Sequence, residues 1–470
     1  MQKVFDNCFY LDKRCYDEYG LSEDILMEHA ASGMESFVRE NFAFGKSVLI
    51  VAGRGNNGAD GIALARLLHG DYDVRLLLAE KPTSDMAKLQ LKRAEAIGIK
   101  TTKELKNADV IVDAVFGSGL KRELDDDTVK LINTLNEFSG YKIACDIPTG
   151  IDEHGNIKNV AFNADITFAM GALKKSYFLD SVKDYIGEIK VVRLGVSQNL
   201  YDGETKIFAL EESDMALPSR KVQSAHKGTF GHVAIFCGEK EGAAVMSAKA
   251  SMRFGVGLAT LVIQDKVYTP YYLMQSTTLP TNTTAIAVGM GLGTFFEESF
   301  LEKHIISNSL PIVIDADALY SKKILSVLSQ KRKIVVTPHP KEFISMWKIL
   351  TGEDVNIDEL QENRFEYVKK FSLKFPNVVL LLKGANTIIS HKDEIYINSL
   401  GSSKLSKGGS GDVLSGLIAS LLAQGYDALH SAVHGSLALT TAARNFSGSS
   451  YAMLPTDLID EIGKLEDCTI

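Results

Sequence analysis

The chain of 470 residues carries a formal net charge of −8, with 51 Lys and Arg against 59 Asp and Glu, and 45% of its residues are hydrophobic. That length exceeds one ordinary core and implies two domains. The acidic balance excludes binding to nucleic acid or a membrane surface through bulk positive charge.

No apolar run approaches the ~18 residues of a membrane span. Met1–Gly20 is charged and lacks the apolar centre of a secretory signal. The five cysteines (Cys8, Cys15, Cys145, Cys237 and Cys468) are scattered and form no C-x-x-C, so neither a zinc cage nor a disulfide framework is expected. A reduced, cytoplasmic setting fits this usage.

In chain order, Asp6–Asn41 reads as helical, with Leu26, Met27, Ala30 and Met34 at mixed three-and-four spacing. Short apolar runs then alternate with amphipathic segments: Ser47–Ala52, Val74–Ala79, Val110–Val115, Lys142–Asp146 and Ile189–Val192. The polar segment Gly195–Gly203 marks a boundary, giving expected domains 1–203 and 204–470. The alternation restarts with His232–Cys237, Ala259–Ile263, Ala285–Val288, Pro311–Ile314, Ile334–Thr337 and Val378–Leu382, and a helix is expected over Val413–Gln424. Such alternation predicts α/β domains built on parallel sheets. Nearly every strand runs into a loop of Gly, Asp, Asn, Thr or His, at the sheet edge where open α/β folds bind ligands.

The first strand leads into Gly53-Arg54-Gly55-Asn56-Asn57-Gly58-Ala59-Asp60-Gly61. Gly53, Gly55 and Gly58 satisfy G-x-G-x-x-G, and Glu80 follows the next strand as in a dinucleotide site, but that pattern alone is weak. The loop also offers the oxygens of Asn56, Asn57 and Asp60, with Asp113 and Thr149 at two further strand ends. Hard cations want such mixed neutral and anionic oxygens. The competing reading makes the asparagines turn formers and Asp60 a helix N-cap.

In the second half, Lys407-Gly408-Gly409-Ser410-Gly411-Asp412 precedes the expected helix. Successive small residues let backbone N–H groups form an anion-binding nest at a positive helix terminus. A carboxylate beside that nest is either an N-cap or a general base acting on a hydroxyl next to a bound phosphate. Lys383-Gly384-Ala385-Asn386-Thr387, Thr337-Pro338-His339-Pro340, Asp315-Ala316-Asp317 and Gly289-Met290-Gly291-Leu292-Gly293 end other strands.

GRGNNGADG, VDAVFGSGLKRE and CDIPTGID resemble the epimerase domain of the NAD(P)H-hydrate repair family across most of residues 1–200. HKGTFGHVAIFCG, VGMGLG, DADAL, TPHPKE, KGANT and KGGSGDVLSG resemble the ribokinase-like, ADP-dependent dehydratase of the same family from about Ser219 onward. The resemblance implies a Rossmann-like domain followed by a ribokinase-like domain. In the first it implies a potassium ion (K+) on Asn57, Asp113 and Thr149, and Asp146 as the catalytic acid/base. The hydrated nucleotide would lie against Asn56, Asn57, Gly58, Ala59 and Asp60, and against Gly117, Ser118, Gly119, Leu120, Lys121, Arg122 and Glu123.

In the second domain it implies Asp412 as catalytic base, with substrate contacts from Ala243, Gly291, His339, Pro340, Lys341, Glu342, Phe343, Ile344 and Ser345. Adenine nucleotide would be bound by Lys383, Gly384, Ala385, Asn386 and Thr387. It would also meet Ser402, Ser403, Lys404, Leu405, Ser406, Lys407, Gly408, Gly409, Ser410 and Gly411, with Mg2+ assisting. Departures from the family pattern are Ala59 for glycine, Thr149 for serine, Met290 for proline, Lys341 for glycine, and no tyrosine near Gly242.

The two activities complement each other. Phosphorylating the hydroxyl of a hydrated nicotinamide ring turns a poor leaving group into phosphate, and an attached epimerase makes both epimers usable. Small-molecule substrates, no nucleic acid, no membrane and a homo-oligomer are the expected associations. Rival readings are a vitamin-precursor hydroxymethyl kinase with a non-catalytic N-terminal module, and a binding scaffold like those of RNA-decay proteins.

Overall fold

The computed structural model describes residues 1–293 and 297–466. The chain divides into two compact units, residues 3–205 and residues 206 to the C-terminus with Met1–Gln2.

The first unit is built on one parallel sheet, in the order Thr101–Thr102, Asp73–Leu78, Ser47–Ala52, Val110–Ala114, Tyr141–Cys145, Ile166–Met170, Glu188–Val192. Alternation along the strands supplies both faces. Val48, Ile50, Val110 and Val112 join one core, while Leu49, Val51 and Ile111 join another. The chain winds outward from Ser47–Ala52 on one side and returns to its other side at Val110–Ala114. That reversal is a topological switch point, and it opens beside the Gly53 loop.

The helical stretch expected over Asp6–Asn41 is two helices, Phe9–Asp17 and Glu23–Asn41. Gly20, at φ +67°, lies in the break between them, and Ser22 caps the second helix by accepting from Ile25 N. Leu173–Lys174 is a short strand pairing with Val4 and Phe5.

The second unit carries a larger sheet in the order Met274–Ser276, Leu258–Val262, His232–Phe236, Ala285–Val288, Ile312–Ile314, Ile334–Val336 and Val378–Leu382, all parallel. Thr387–His391 and Glu394–Asn398 follow antiparallel, and Ile207–Ala209 pairs with the latter. The fold class is therefore the one expected, a Rossmann-like parallel-sheet domain followed by a ribokinase-like α/β domain. The helix expected over Val413–Gln424 is Ser410–Ala423. It is buried along most of its length, and Gly416 lets it approach the helix Glu241–Arg253, where a Cβ would fall 2.2 Å from Ser247 O.

Cys8, Cys15, Cys145 and Cys237 are free thiols, and Cys468 lies outside the described residues. No helix among the described residues is long and apolar enough to cross a membrane.

Each unit buries its own core, so cutting between Thr205 and Lys206 is expected to yield two separately folding fragments. Cooperative thermal unfolding of each fragment is the check. Insoluble fragments from several cut points there would contradict it.

Candidate functional site

In the first unit, Gly53 and Gly58 are fixed by packing. A Cβ on Gly53 would lie 2.0 Å from Val115 O, and one on Gly58 2.0 Å from Gly53 O. The loop thus closes tightly onto the end of strand Val110–Ala114. The helix after it runs Asn56–Leu68 with Gly55 at its N-cap, so Asp60 lies inside the helix and is not its cap.

Asp113 is fully buried at the end of its strand. Its Oδ2 accepts from Thr149 N at 2.7 Å, and its Oδ1 from Thr149 Oγ1 at 2.7 Å and Val115 N at 3.1 Å. Burial pushes its carboxyl up to about 6. Thr149 Oγ1 in turn accepts from Phe116 N at 2.9 Å. The next residue, Gly117, would place a Cβ 3.3 Å from Asn57 Oδ1 and 3.2 Å from Asp146 Oδ2. Asn57, Asp113, Thr149 and Asp146 thus converge around the 115–117 turn. Both polar atoms of the Asn57 amide are buried without a hydrogen-bond partner. An orphaned amide oxygen, a buried carboxylate and a hydroxyl are the mixed neutral and anionic oxygens that hard cations take.

Asp146 sits at φ +65°, a conformation that non-glycine residues other than Asn and Asp rarely adopt. Its Oδ1 pairs with Lys174 Nζ at 2.5 Å, and its backbone carbonyl accepts from Tyr177 OH at 2.7 Å. Burial opposes the charge on Lys174, but the Asp146 carboxylate outweighs it and raises the ammonium's pKa. Asp60 lies beside Cys145 (Oδ2 to Sγ 3.9 Å); burial, then the charges of Asp146 and Asp12, holds its carboxyl well above the carboxylate range. Burial likewise raises Asp12 to about 6, partly offset by the hydroxyl of Tyr201. Lys174, Tyr177 and Asp12 are absent from the sequence-based site.

The other first-unit contacts differ in accessibility. Asn56 is exposed and its amide is engaged by Glu23. Gly119, Lys121, Arg122 and Glu123 are exposed, Ser118 is half-buried, and the Leu120 side chain is buried, as is Ala59.

In the second unit, Gly409 occupies the N-cap of helix Ser410–Ala423 at φ +104°, and Asp412 is the helix's third residue. The N-cap reading of Asp412 is therefore replaced. Burial raises its carboxyl to about 6, with Asp315 adding to the rise and Lys383 opposing it. Lys383 Nζ pairs with Asp315 Oδ1 at 2.8 Å and lies 3.8 Å from Glu342 Oε2. It also lies 3.5 Å from where a Cβ on Gly411 would be, which places the ammonium at the first turn of the helix. Asp315 Oδ2 accepts from Ser415 Oγ at 2.7 Å.

His339 caps helix Pro340–Thr351. Its Nδ1 accepts from Lys341 N and Glu342 N, while Glu342 Oε2 accepts from His339 N at 2.7 Å. Burial, then Lys383, lowers the pKa of His339. Phe343 is fully buried, stacked on Trp347, so only its backbone is available to a ligand; Ile344 and Ser345 are half-buried in the same helix. Gly291 lies against Lys240 O and Ala243, bringing two expected substrate contacts together.

Gly384 and Ala385 are exposed, the Asn386 side chain is buried, and Thr387 opens the strand Thr387–His391. Ser402 Oγ accepts from Lys404 N, opening the 3-10 turn Ser403–Leu405. Lys404 donates to the carbonyls of Arg444 and Phe446, and Lys407 to that of Tyr451.

Residues 233–464 match a family model described as NAD(P)H-hydrate dehydratase, and residues 23–176 one described as YjeF-related protein N-terminus. The chain is similar to the bifunctional NAD(P)H-hydrate repair enzyme of Helicobacter pylori, at 41% identity over 99% of this chain and 100% of that one. It is also similar to the enzyme of that name from Dictyoglomus turgidum, at 31% identity over 90% of each chain. Among solved structures it is similar to the ADP/ATP-dependent NAD(P)H-hydrate dehydratase of Bacillus subtilis co-crystallised with ATP and Mg2+. That similarity is 28% identity over 54% of this chain and 94% of that one, with a TM-score of 0.46.

Proposed function

Because this chain belongs to the family of bifunctional NAD(P)H-hydrate repair enzymes, we propose that its first unit epimerises the hydrated nucleotide at the hydroxyl-bearing ring carbon and its second dehydrates one epimer with ADP. The observation that carries the second half is the placement of Asp412 beside a glycine-rich helix N-terminus with the Lys383 ammonium next to it.

In the second unit, the backbone N–H groups of Gly408–Gly411 and the positive helix end receive the phosphates of ADP. Asp412 accepts the proton of the substrate hydroxyl as its oxygen attacks the terminal phosphorus, and AMP leaves. Phosphate then departs from the ring carbon while the neighbouring carbon loses a proton, restoring the double bond of NADH or NADPH. Among the described residues no group of three or more His, Cys, Asp or Glu is arranged to hold a metal, so Mg2+ is expected to arrive on the nucleotide's phosphates.

In the first unit, Asp146 relays protons as the hydroxyl leaves one face of the ring and water returns to the other, and Lys174 is its ion-pair partner. Asn57, Asp113 and Thr149 would hold K+, whose positive charge offsets the buried Asp113 carboxylate. Replacing potassium with a bulky organic cation is therefore expected to slow epimerisation and leave dehydration of the competent epimer unchanged. Asp113→Ala is expected to do the same. Equal epimerisation rates with and without potassium would remove the ion from this reading.

The kinase reading predicts a phosphorylated product without loss of water. Incubation with hydrated NADH and ADP separates the two, since repair regenerates reduced-nicotinamide absorbance together with AMP and phosphate.

A further inference from the structure

Asp315 lies at the end of strand Ile312–Ile314, and it belongs to neither the phosphate-binding turn nor the expected substrate contacts. Its side chain is almost wholly buried, and each carboxylate oxygen reaches a different element. Oδ1 meets Lys383 Nζ at 2.8 Å, on the loop after strand Val378–Leu382; Oδ2 accepts from Ser415 Oγ at 2.7 Å, one turn along the helix that carries Asp412. The backbone at Asp315 is itself pinned. Its N–H donates to Val288 O at 3.1 Å, and a Cβ on Gly289 would fall 1.7 Å from its carbonyl oxygen.

Stability alone is a poor reason for this arrangement. Taking a carboxylate and an ammonium out of water costs as much as, or more than, their attraction returns, and apolar replacements of such pairs are often neutral. What an apolar pair cannot do is hold a cation at the first turn of the Ser410–Ala423 helix, where Lys383 Nζ lies beside Gly411. A positive charge fixed there before the reaction favours charge developing on a transferred phosphoryl group.

We infer that Asp315 is a positioning residue for dehydration: one oxygen fixes the Lys383 ammonium at the Gly411–Asp412 turn, and the other fixes that turn's helix through Ser415. The inference rests on the reading of Asp412 as the base. Glu342 is a weaker second partner for the ammonium at 3.8 Å, and it is committed to the His339 N–H at 2.7 Å. Without Asp315, therefore, Lys383 is drawn off its position, while the phosphate-binding backbone of Gly408–Gly411 stays intact.

The test compares the full-length wild type with Asp315→Asn, Lys383→Met, the double variant and Ser415→Ala, in dehydration of hydrated NADH with ADP. Asp315→Asn is expected to lower kcat by ~10–100-fold, as small displacements of reacting groups do. It should still bind one ADP per chain, with KM for ADP within about threefold of wild type. The double variant should be no slower than Lys383→Met alone, because Asp315 acts through that lysine. A general loss of structure would instead lower ADP stoichiometry, and independent roles would multiply the two losses.

The double variant removes both members of the Asp315–Lys383 pair, and Glu342 loses its more distant partner. Should Asp315→Asn not fold, Ser415→Ala decides: a lowered kcat with intact ADP binding supports the inference, and an unchanged kcat overturns it. Asp315→Asn within twofold of wild type, or multiplicative losses in the double variant, also overturn it. A wild type that regenerates no NADH would count against the proposed function itself, so the two failures are distinguishable.

Discussion

Asp412→Asn is expected to slow ADP-dependent dehydration by ~10²–10⁴-fold, the usual cost of losing a general base, while the protein folds and binds ADP as before. The substitution is nearly isosteric, and it removes no helix cap because Gly409 holds that position. ADP affinity should be equal or slightly better, since a negative charge beside the phosphates is lost. The wild-type rate should also carry a pH signature. Burial first, and Asp315 next, raise the Asp412 carboxyl to about 6, and only its unprotonated form accepts a proton. Turnover should therefore rise as pH increases through about 6 and level off above it, and that limb should vanish in the variant. Rates and ADP dissociation constants measured across pH decide the matter. Near-normal turnover in Asp412→Asn would remove it as the base.

Asp146→Asn is expected to slow interconversion of the two epimers by a comparable ~10²–10⁴-fold and to leave dehydration of the competent epimer at its wild-type rate. Asparagine tolerates the positive φ of this position as aspartate does, so the turn after Cys145 should keep its shape. The stability cost lies elsewhere. Lys174 is buried with Asp146 as its ion-pair partner, and leaving that ammonium unpaired is expected to cost ~3 kcal/mol, read as a lower Tm. Asp146→Asn/Lys174→Met removes both charges, and should recover stability without recovering epimerisation. Chromatographic separation of the epimers over time gives the rate. A variant that still equilibrates them at the wild-type rate would show that another group moves the proton.

What could be read in the sequence was what is local along it. GRGNNGADG and CDIPTGID sit at strand ends and KGGSGD at a helix start, and each places small residues and a polar side chain within nine residues or fewer, so each carries its own meaning. Strand positions were legible from short apolar runs, to within a residue at most ends. The break at Gly20 was not, because the apolar spacing continues across it. Strand Ile166–Met170 was also missed, lying among mixed residues without clear alternation, as were the antiparallel strands Thr387–His391 and Glu394–Asn398.

Residues joined by topology left no local trace. Lys174 reaches Asp146 across 28 positions, held by the pairing of Leu173–Lys174 with Val4 and Phe5. Asp315 meets Lys383 across 68 positions and Ser415 across 100. Lys383 was legible as a lysine at a strand end, but the direction of its ammonium, toward Asp315 rather than outward, was not. His339 was legible as a histidine between prolines at a strand end, but its use of Nδ1 to cap a helix depends on the turn that Pro340 starts.

The most direct test of the whole account uses a mixture of both hydrate epimers, excess ADP, Mg2+ and potassium, with recovery of reduced-nicotinamide absorbance followed to completion. Wild-type protein should recover all of the NADH, while Asp146→Asn should recover the competent epimer at the wild-type rate and the remainder only as slowly as the epimers interconvert unaided. Complete recovery by Asp146→Asn at the wild-type rate, or no recovery by the wild type, would contradict a chain that joins epimerase and dehydratase.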